Sequence, residues 1–139
     1  MPDSDQKIAE VLRTVRTIAV VGASANAARP SFGVMRFLLS KGYQVVPVNP
    51  GHAGGEILGQ TVYAALADIP FAVDMVDVFR APDNLPDVVT EVLKMEPRPK
   101  VLWGQLGVSH DGARATAEAA GMTVIMDHCP AIEYPRLIG

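Results

Sequence analysis

Cysteine is almost missing from this chain: one in 139 residues, beside a single tryptophan and an aromatic content of only 6%. A lone thiol cannot close an internal disulfide, which excludes a cross-linked secreted scaffold and suits a reducing cytoplasm. Positive charge is also scarce. Lys and Arg number 12 against 15 Asp and Glu, a net charge of -3, and no basic cluster appears. Binding nucleic acid without regard to sequence needs several cations tracking phosphates, so no nucleic-acid partner is expected. No apolar run approaches the ~20 residues that span a bilayer, so no membrane partner is expected either. The opening MPDSDQKIAEVL is too acidic and polar for a signal peptide. His52, His110 and His128 fall in separate loops and, with Cys129, have no metal-ligand spacing. A hydrophobic fraction of 49% with only 19% charged residues describes a chain that builds a core. The expectation is one cytoplasmic domain over residues 1–139.

What the chain does have is alternation of strand-like and helix-like segments. Ser4-Asp5 caps a first helix with Ile8, Val11, Leu12 and Val15 on one face. Ile18 to Val21 is an unbroken apolar run, as in a strand buried on both sides. Val34, Phe37, Leu38 and Leu39 form a helical stripe that stops at Lys41-Gly42. Further strands are read in YQVVPVNP, VDMVDVFR (Val73 to Arg80), KVLWGQLG and MTVIMD, with helices over Leu85–Met95, Asp111–Ala120 and Ala131–Leu137. The pattern predicts an α/β, Rossmann-like doubly wound domain: a five-stranded parallel sheet with helices on both faces. The expected strand order is 3-2-1-4-5, while the flavodoxin-like order 2-1-3-4-5 stays open on pattern alone.

Ligands of such sheets bind beyond the carboxyl ends of the strands. The first exit, in TIAVVGASANAARPSFG, begins like a dinucleotide-binding turn at Gly22. Ser24 and Ala27 then stand where the next glycines of G-x-G-x-x-G belong. Gly22 would let a phosphate approach the backbone, with Arg29 and Ser31 adding donors at the helix start and Pro30 suited to its first turn. At the second exit, PVNP, Asn49 replaces the carboxylate that holds the ribose of NAD, and no arginine follows for an NADP phosphate. An NAD-binding redox sensor therefore loses most of its support. Cys129 reads more readily as a small buried residue than as a nucleophile, and Trp103 as core. At least one of Asp74 and Asp77 is expected to pair or cap within the fold.

Taken in order, IAVVGAS, RPSFGVMRFLLSKGYQVVPVNP, ILGQTVYAALADIP, VDMVDVFR, VLWGQLGV and DHCPAIEYPRL resemble the stand-alone CoA-binding domain family, sometimes called YccU-like proteins. That family is similar to the CoA-binding domain of the succinyl-CoA synthetase α-subunit. The resemblance implies coenzyme A, or an acyl-CoA, at the strand exits. Gly22, Ala23 and Ser24 would then lie against the diphosphate, Arg29 would meet a phosphate, and Asn49 and Pro50 would border the adenosine. Val78, Phe79 and Arg80 would wall the groove, and Gln105 and Gly107 would meet the pantetheine arm. Two departures remove positive charge. Relatives often carry a basic residue after VNP, where Gly51-His52 stand, and commonly read DRC where this chain has Asp127-His128-Cys129. Nothing corresponds to the synthetase's phosphohistidine domain, so the expectation is a carrier, sensor or accessory module without catalysis, with a protein partner or a second copy as its companion. A small enzyme or enzyme subunit acting on acyl-CoA is the alternative.

Overall fold

The computed structural model describes residues 3–139, so the first two residues of the polar opening segment lie outside it. Helix α1 (Asp5–Thr14) begins at Ser4, whose hydroxyl accepts from Lys7 N–H at 3.2 Å, and it buries Ile8, Val11 and Leu12. Strand β1 (Thr17–Val21) is buried along its whole length. Helix α2 (Pro30–Ser40) takes Pro30 at its first position, where no hydrogen bond is lost, and ends before Gly42 at φ +92°. Strand β2 (Gln44–Val48) leads through a 3-10 turn to a small antiparallel hairpin, β3 (Glu56–Ile57) and β4 (Gln60–Thr61). Then come β5 (Met75–Val78), α3 (Leu85–Leu93), β6 (Val101–Gly104), α4 (Asp111–Ala119), β7 (Thr123–Ile125) and α5 (Pro130–Leu137). Asp74 stands just before β5 and accepts from the N–H groups of Arg16 and Thr17 at 2.8 and 3.0 Å, which fixes the start of β1.

The five long strands make one parallel sheet in the order β2-β1-β5-β6-β7. The fold class is the expected one, but the strand order is not. Counting only this sheet, it is 2-1-3-4-5 rather than 3-2-1-4-5. Pro47 supplies a physical reason. Tyr63 N–H donates to Pro47 O at 3.0 Å, and Asn49 N–H to Tyr63 O at 2.9 Å, on the side of β2 away from β1. The missing N–H of Pro47 therefore faces outward, where a full neighbouring strand would need it. Only a single bridge, Val48 to Tyr63, forms there. β2 is an edge, and the chain returns to pair β5 with the open side of β1.

Side chains alternate between two apolar layers. Ile18, Val20, Met75, Val101 and Trp103 pack with Ile8, Leu12, Val34 and Leu38 of α1 and α2. Ala19, Val21, Val76, Val78 and Leu102 pack with Leu85, Val88, Val92 and Ala117 of α3 and α4. Burial on both faces is why the strands read as unbroken apolar runs.

Candidate functional site

The carboxyl ends of the strands open on a cleft of about 600 Å³. Successive strands are added on opposite sides of β1, so the strand order reverses between β1 and β5, and the exits of these two strands form part of the cleft wall. The site therefore lies at the predicted edge although the strand order changed.

Gly22 has φ +85°, and a Cβ there would stand 2.3 Å from the carbonyl oxygen of Phe79. Its first role is thus to let the β1 exit pass the β5 exit, whatever a ligand requires. The rest of the loop explains the absent glycines. Gly22 N–H and Ala23 N–H both donate to Val48 O, at 3.1 and 3.3 Å. Ser24 N–H donates to the Ser31 hydroxyl at 3.1 Å, Asn26 N–H to the Ser24 hydroxyl at 3.1 Å, and Ala28 N–H to Asn26 Oδ1 at 2.9 Å. Short polar side chains hold this backbone in shape, and its N–H groups are largely occupied within the loop. The α2 N-terminus, at Pro30 and Ser31, and the side chains of Arg29 and Arg80 stand beside this loop in the lining of the cleft.

Asn49 has a definite task. Its Nδ2 donates to Ala23 O at 2.7 Å, and its Oδ1 accepts from Gly51 N–H at 2.8 Å. One amide ties the first loop to the second, and a carboxylate could not do so because it has no donor for Ala23 O. Asn49→Asp should lower stability by about 1–3 kcal/mol at neutral pH, since it leaves that carbonyl unpaired and sets a negative charge against it. Urea unfolding of the two proteins measures this; equal midpoints would show that the tie is dispensable.

Of the residues expected to meet a ligand, Gly22, Ala23, Ser24, Arg29, Ser31, Asn49, Phe79, Arg80 and Gln105 come together in the lining of the cleft. Three expected residues do not. Val78 is fully buried and faces the α3 and α4 layer, because alternation along β5 turns it inward. Pro50 opens the 3-10 turn beyond Asn49 and is exposed. Gly107, at φ +78°, shapes the turn that Val108 N–H closes on Gln105 O at 2.7 Å, and its own N–H donates to Asp127 Oδ1 at 2.7 Å. That turn instead presents Leu106 and Val108 to the cleft, two residues that the sequence pattern did not single out. An apolar residue at the tip of a glycine turn was the available signal, and Leu106 is 56% exposed.

Arg29 and Arg80 are the charged residues of the lining, and no carboxylate accompanies them. Neither forms an ion pair among the described residues, whereas Arg114 and Arg136 are engaged with Asp3 and Asp5. The cleft is a cationic mouth with an apolar and amide-bearing inner wall. Cys129 is buried at the N-cap of α5, outside this lining. His110 caps α4, its Nδ1 accepting from Ala113 N–H at 3.0 Å, and the Trp103 indole donates to His128 O at 2.8 Å from within the core. Among the described residues no cluster of three or more His, Cys, Asp or Glu could hold a metal ion. No helix among them is long and apolar enough to cross a membrane.

A family model described as a CoA binding domain matches residues 16–135. YneT of Bacillus subtilis is 36% identical over 126 residues, which cover 91% of this chain and 90% of YneT. An ADP-forming acetate–CoA ligase of Archaeoglobus fulgidus is 29% identical over 127 residues, which are 89% of this chain but only 18% of the ligase. Among solved structures, a protein from Pyrococcus horikoshii superposes with a TM-score of 0.92 at 34% identity, covering 100% of this chain and 97% of that one.

Proposed function

The chain belongs to the CoA binding domain family, and from that premise we propose that its cleft binds coenzyme A or an acyl-CoA without turning it over, as a carrier, sensor or accessory module. The observation that carries this reading is a pair of guanidinium groups, without ion-pair partners among the described residues, at the mouth of a cleft whose lining holds no carboxylate. Residues of this kind suit the ligand. A diphosphate takes bidentate bonds from guanidinium groups such as Arg29 and Arg80. The Phe79 ring walls the groove, and Gln105, Leu106 and Val108 offer an amide and apolar surface for the pantetheine arm. NAD suits it less well, because the β2 exit has no carboxylate for the ribose and the Asn49 amide is bound to Ala23 and Gly51.

The non-catalytic part of the proposal rests on the lining. It contains no histidine, cysteine or carboxylate to act as nucleophile or base. The second reading, a subunit of an enzyme acting on acyl-CoA, is favoured by the ligase relative, of which this chain spans 18%.

Titration calorimetry with CoA, dephospho-CoA, NAD and NADP tests the assignment. CoA should bind in the micromolar range, roughly -8 kcal/mol, with NAD at least about tenfold weaker. Arg29→Ala and Arg80→Ala should each weaken CoA by about tenfold, ~1.4 kcal/mol, without changing the thermal midpoint. Loss of the 3′-phosphate should matter little, since the Pro50–Gly55 segment after β2 has no Lys or Arg. Tight NAD binding with no CoA binding would overturn the proposal. Loss of an intrinsic acyl-CoA hydrolase or transferase activity on Cys129→Ser would overturn its non-catalytic part.

A further inference from the structure

Three buried side-chain atoms among the described residues have no hydrogen-bond partner: both carboxyl oxygens of Asp77 and Oε1 of Gln105. All three are acceptors, and an unpaired buried polar group costs about 1–3 kcal/mol, a charged one more. Their positions in the sheet are related. Asp77 is in register with Val20 of β1 and Trp103 of β6. Alternation along β5 turns it to the face of Met75, Val20 and Trp103, because Val76 and Val78 face the opposite layer. Gln105 continues β6 by one rung, its N–H donating to Val78 O at 3.2 Å, so its side chain leaves on the same face as Trp103. The two lie on one face of adjacent parallel strands, Gln105 two residues beyond the in-register partner of Asp77. Asp77 is 0% exposed, while Gln105 is 6% exposed and reaches the cleft.

We propose that Asp77 is a positioning residue for the cleft: as a neutral carboxylic acid it gives its O–H to Oε1 of Gln105, and so turns the Gln105 amide nitrogen outward as a fixed donor. The arrangement pairs two of the three orphaned oxygens, the protonated one of Asp77 and Oε1 of Gln105. The in-register neighbours of Asp77 on that face, Val20 and Trp103, carry no charge. Burial pushes the Asp77 carboxyl well above the usual carboxylate range, with no cation to oppose it. An ionised Asp77 would instead draw the Gln105 nitrogen inward and show an oxygen to the ligand. The ligand side of this inference rests on the CoA reading, in which the pantetheine arm brings amide carbonyls to the outward N–H₂.

Two measurements decide it. Carboxyl-carbon NMR of the unliganded protein should show one aspartate still protonated at neutral pH, and Asp77→Asn should remove that resonance. A spectrum in which every aspartate is ionised overturns the proposal, whether or not any ligand binds. In calorimetry, Asp77→Leu should weaken CoA by about fivefold but leave ADP, which lacks the pantetheine arm, unchanged. Asp77→Asn, whose amide can also donate to Oε1, should restore CoA binding. In a Gln105→Met background the Asp77→Leu change should have no further effect. Equal weakening of CoA and ADP, or an undiminished effect without Gln105, overturns it. Should Asp77→Leu fail to fold, the NMR result decides the matter by itself. Failure of the wild type to bind CoA would refute the ligand assignment, and the protonation of Asp77 would still be settled by the same NMR spectrum.

Discussion

Asp77→Asn should make the protein more stable at neutral pH, by a margin that widens as pH rises. In the unfolded chain an aspartate ionises near ~3.9, whereas burial raises the folded-state value well above that. A raised value means that the contribution of the group is complete below the unfolded pKa and is lost as pH climbs toward the folded one. Over that window folding must take up a proton, at about 1.4 kcal/mol per pH unit. Asparagine has the same shape, has nothing to titrate, and can still donate to Gln105. Urea unfolding of both proteins near pH 5 and near pH 7 should show the gap growing by about 2–3 kcal/mol, provided the folded acid stays protonated throughout. A gap that is flat or narrows with pH would show that Asp77 folds as a carboxylate.

Gly22→Val should abolish folding rather than merely ligand binding. The backbone there is left-handed at φ +85°, a region that β-branched residues avoid, and the new Cβ would meet Phe79 O at 2.3 Å. Phe79 O is backbone and the position of a Cβ is set by the backbone, so no rotamer relieves the contact. The loss should exceed about 4 kcal/mol, a large part of the 5–15 kcal/mol that holds a typical domain together. Circular dichroism and thermal melting are the checks, with Gly33→Ala as the contrast. Gly33 lies inside α2, its Cβ would meet nothing within 4 Å, and the change should add about 0.5–1 kcal/mol. A folded Gly22→Val protein with a normal melting point would refute the close passage of the two strand exits. By sequence Gly22 is a place of phosphate approach; the structure makes it first a place where two loops cross.

The two variants mark where legibility ended. Asp77 is visible in the sequence as an acid inside an apolar strand run, but not that it is enclosed with no partner, because that depends on β1 and β6 on either side. The strand order turned on Pro47, which was present in PVNP to be read. A proline in a strand run points to a sheet edge, and order 3-2-1-4-5 would have made that strand interior. Leu106 and Val108 joined the cleft through a turn anchored by Asp127, a residue on a different strand exit.

The five strands of the main sheet, the five α-helices and the double covering of that sheet were determined by the sequence alone, because burial on both faces leaves a mark at each residue and helix ends are set by neighbours such as Ser4, Pro30 and Gly42. So was the missing ribose carboxylate at Asn49, since a residue type is a local fact. Tertiary structure decided the side of β1 on which β5 lands, the contact between Gly22 and Phe79, the Asn49–Ala23 tie and the isolation of Asp77. Each is a meeting of segments far apart in the chain, and the stability of such a meeting depends on what both sides bury and bond together, which neither stretch carries by itself.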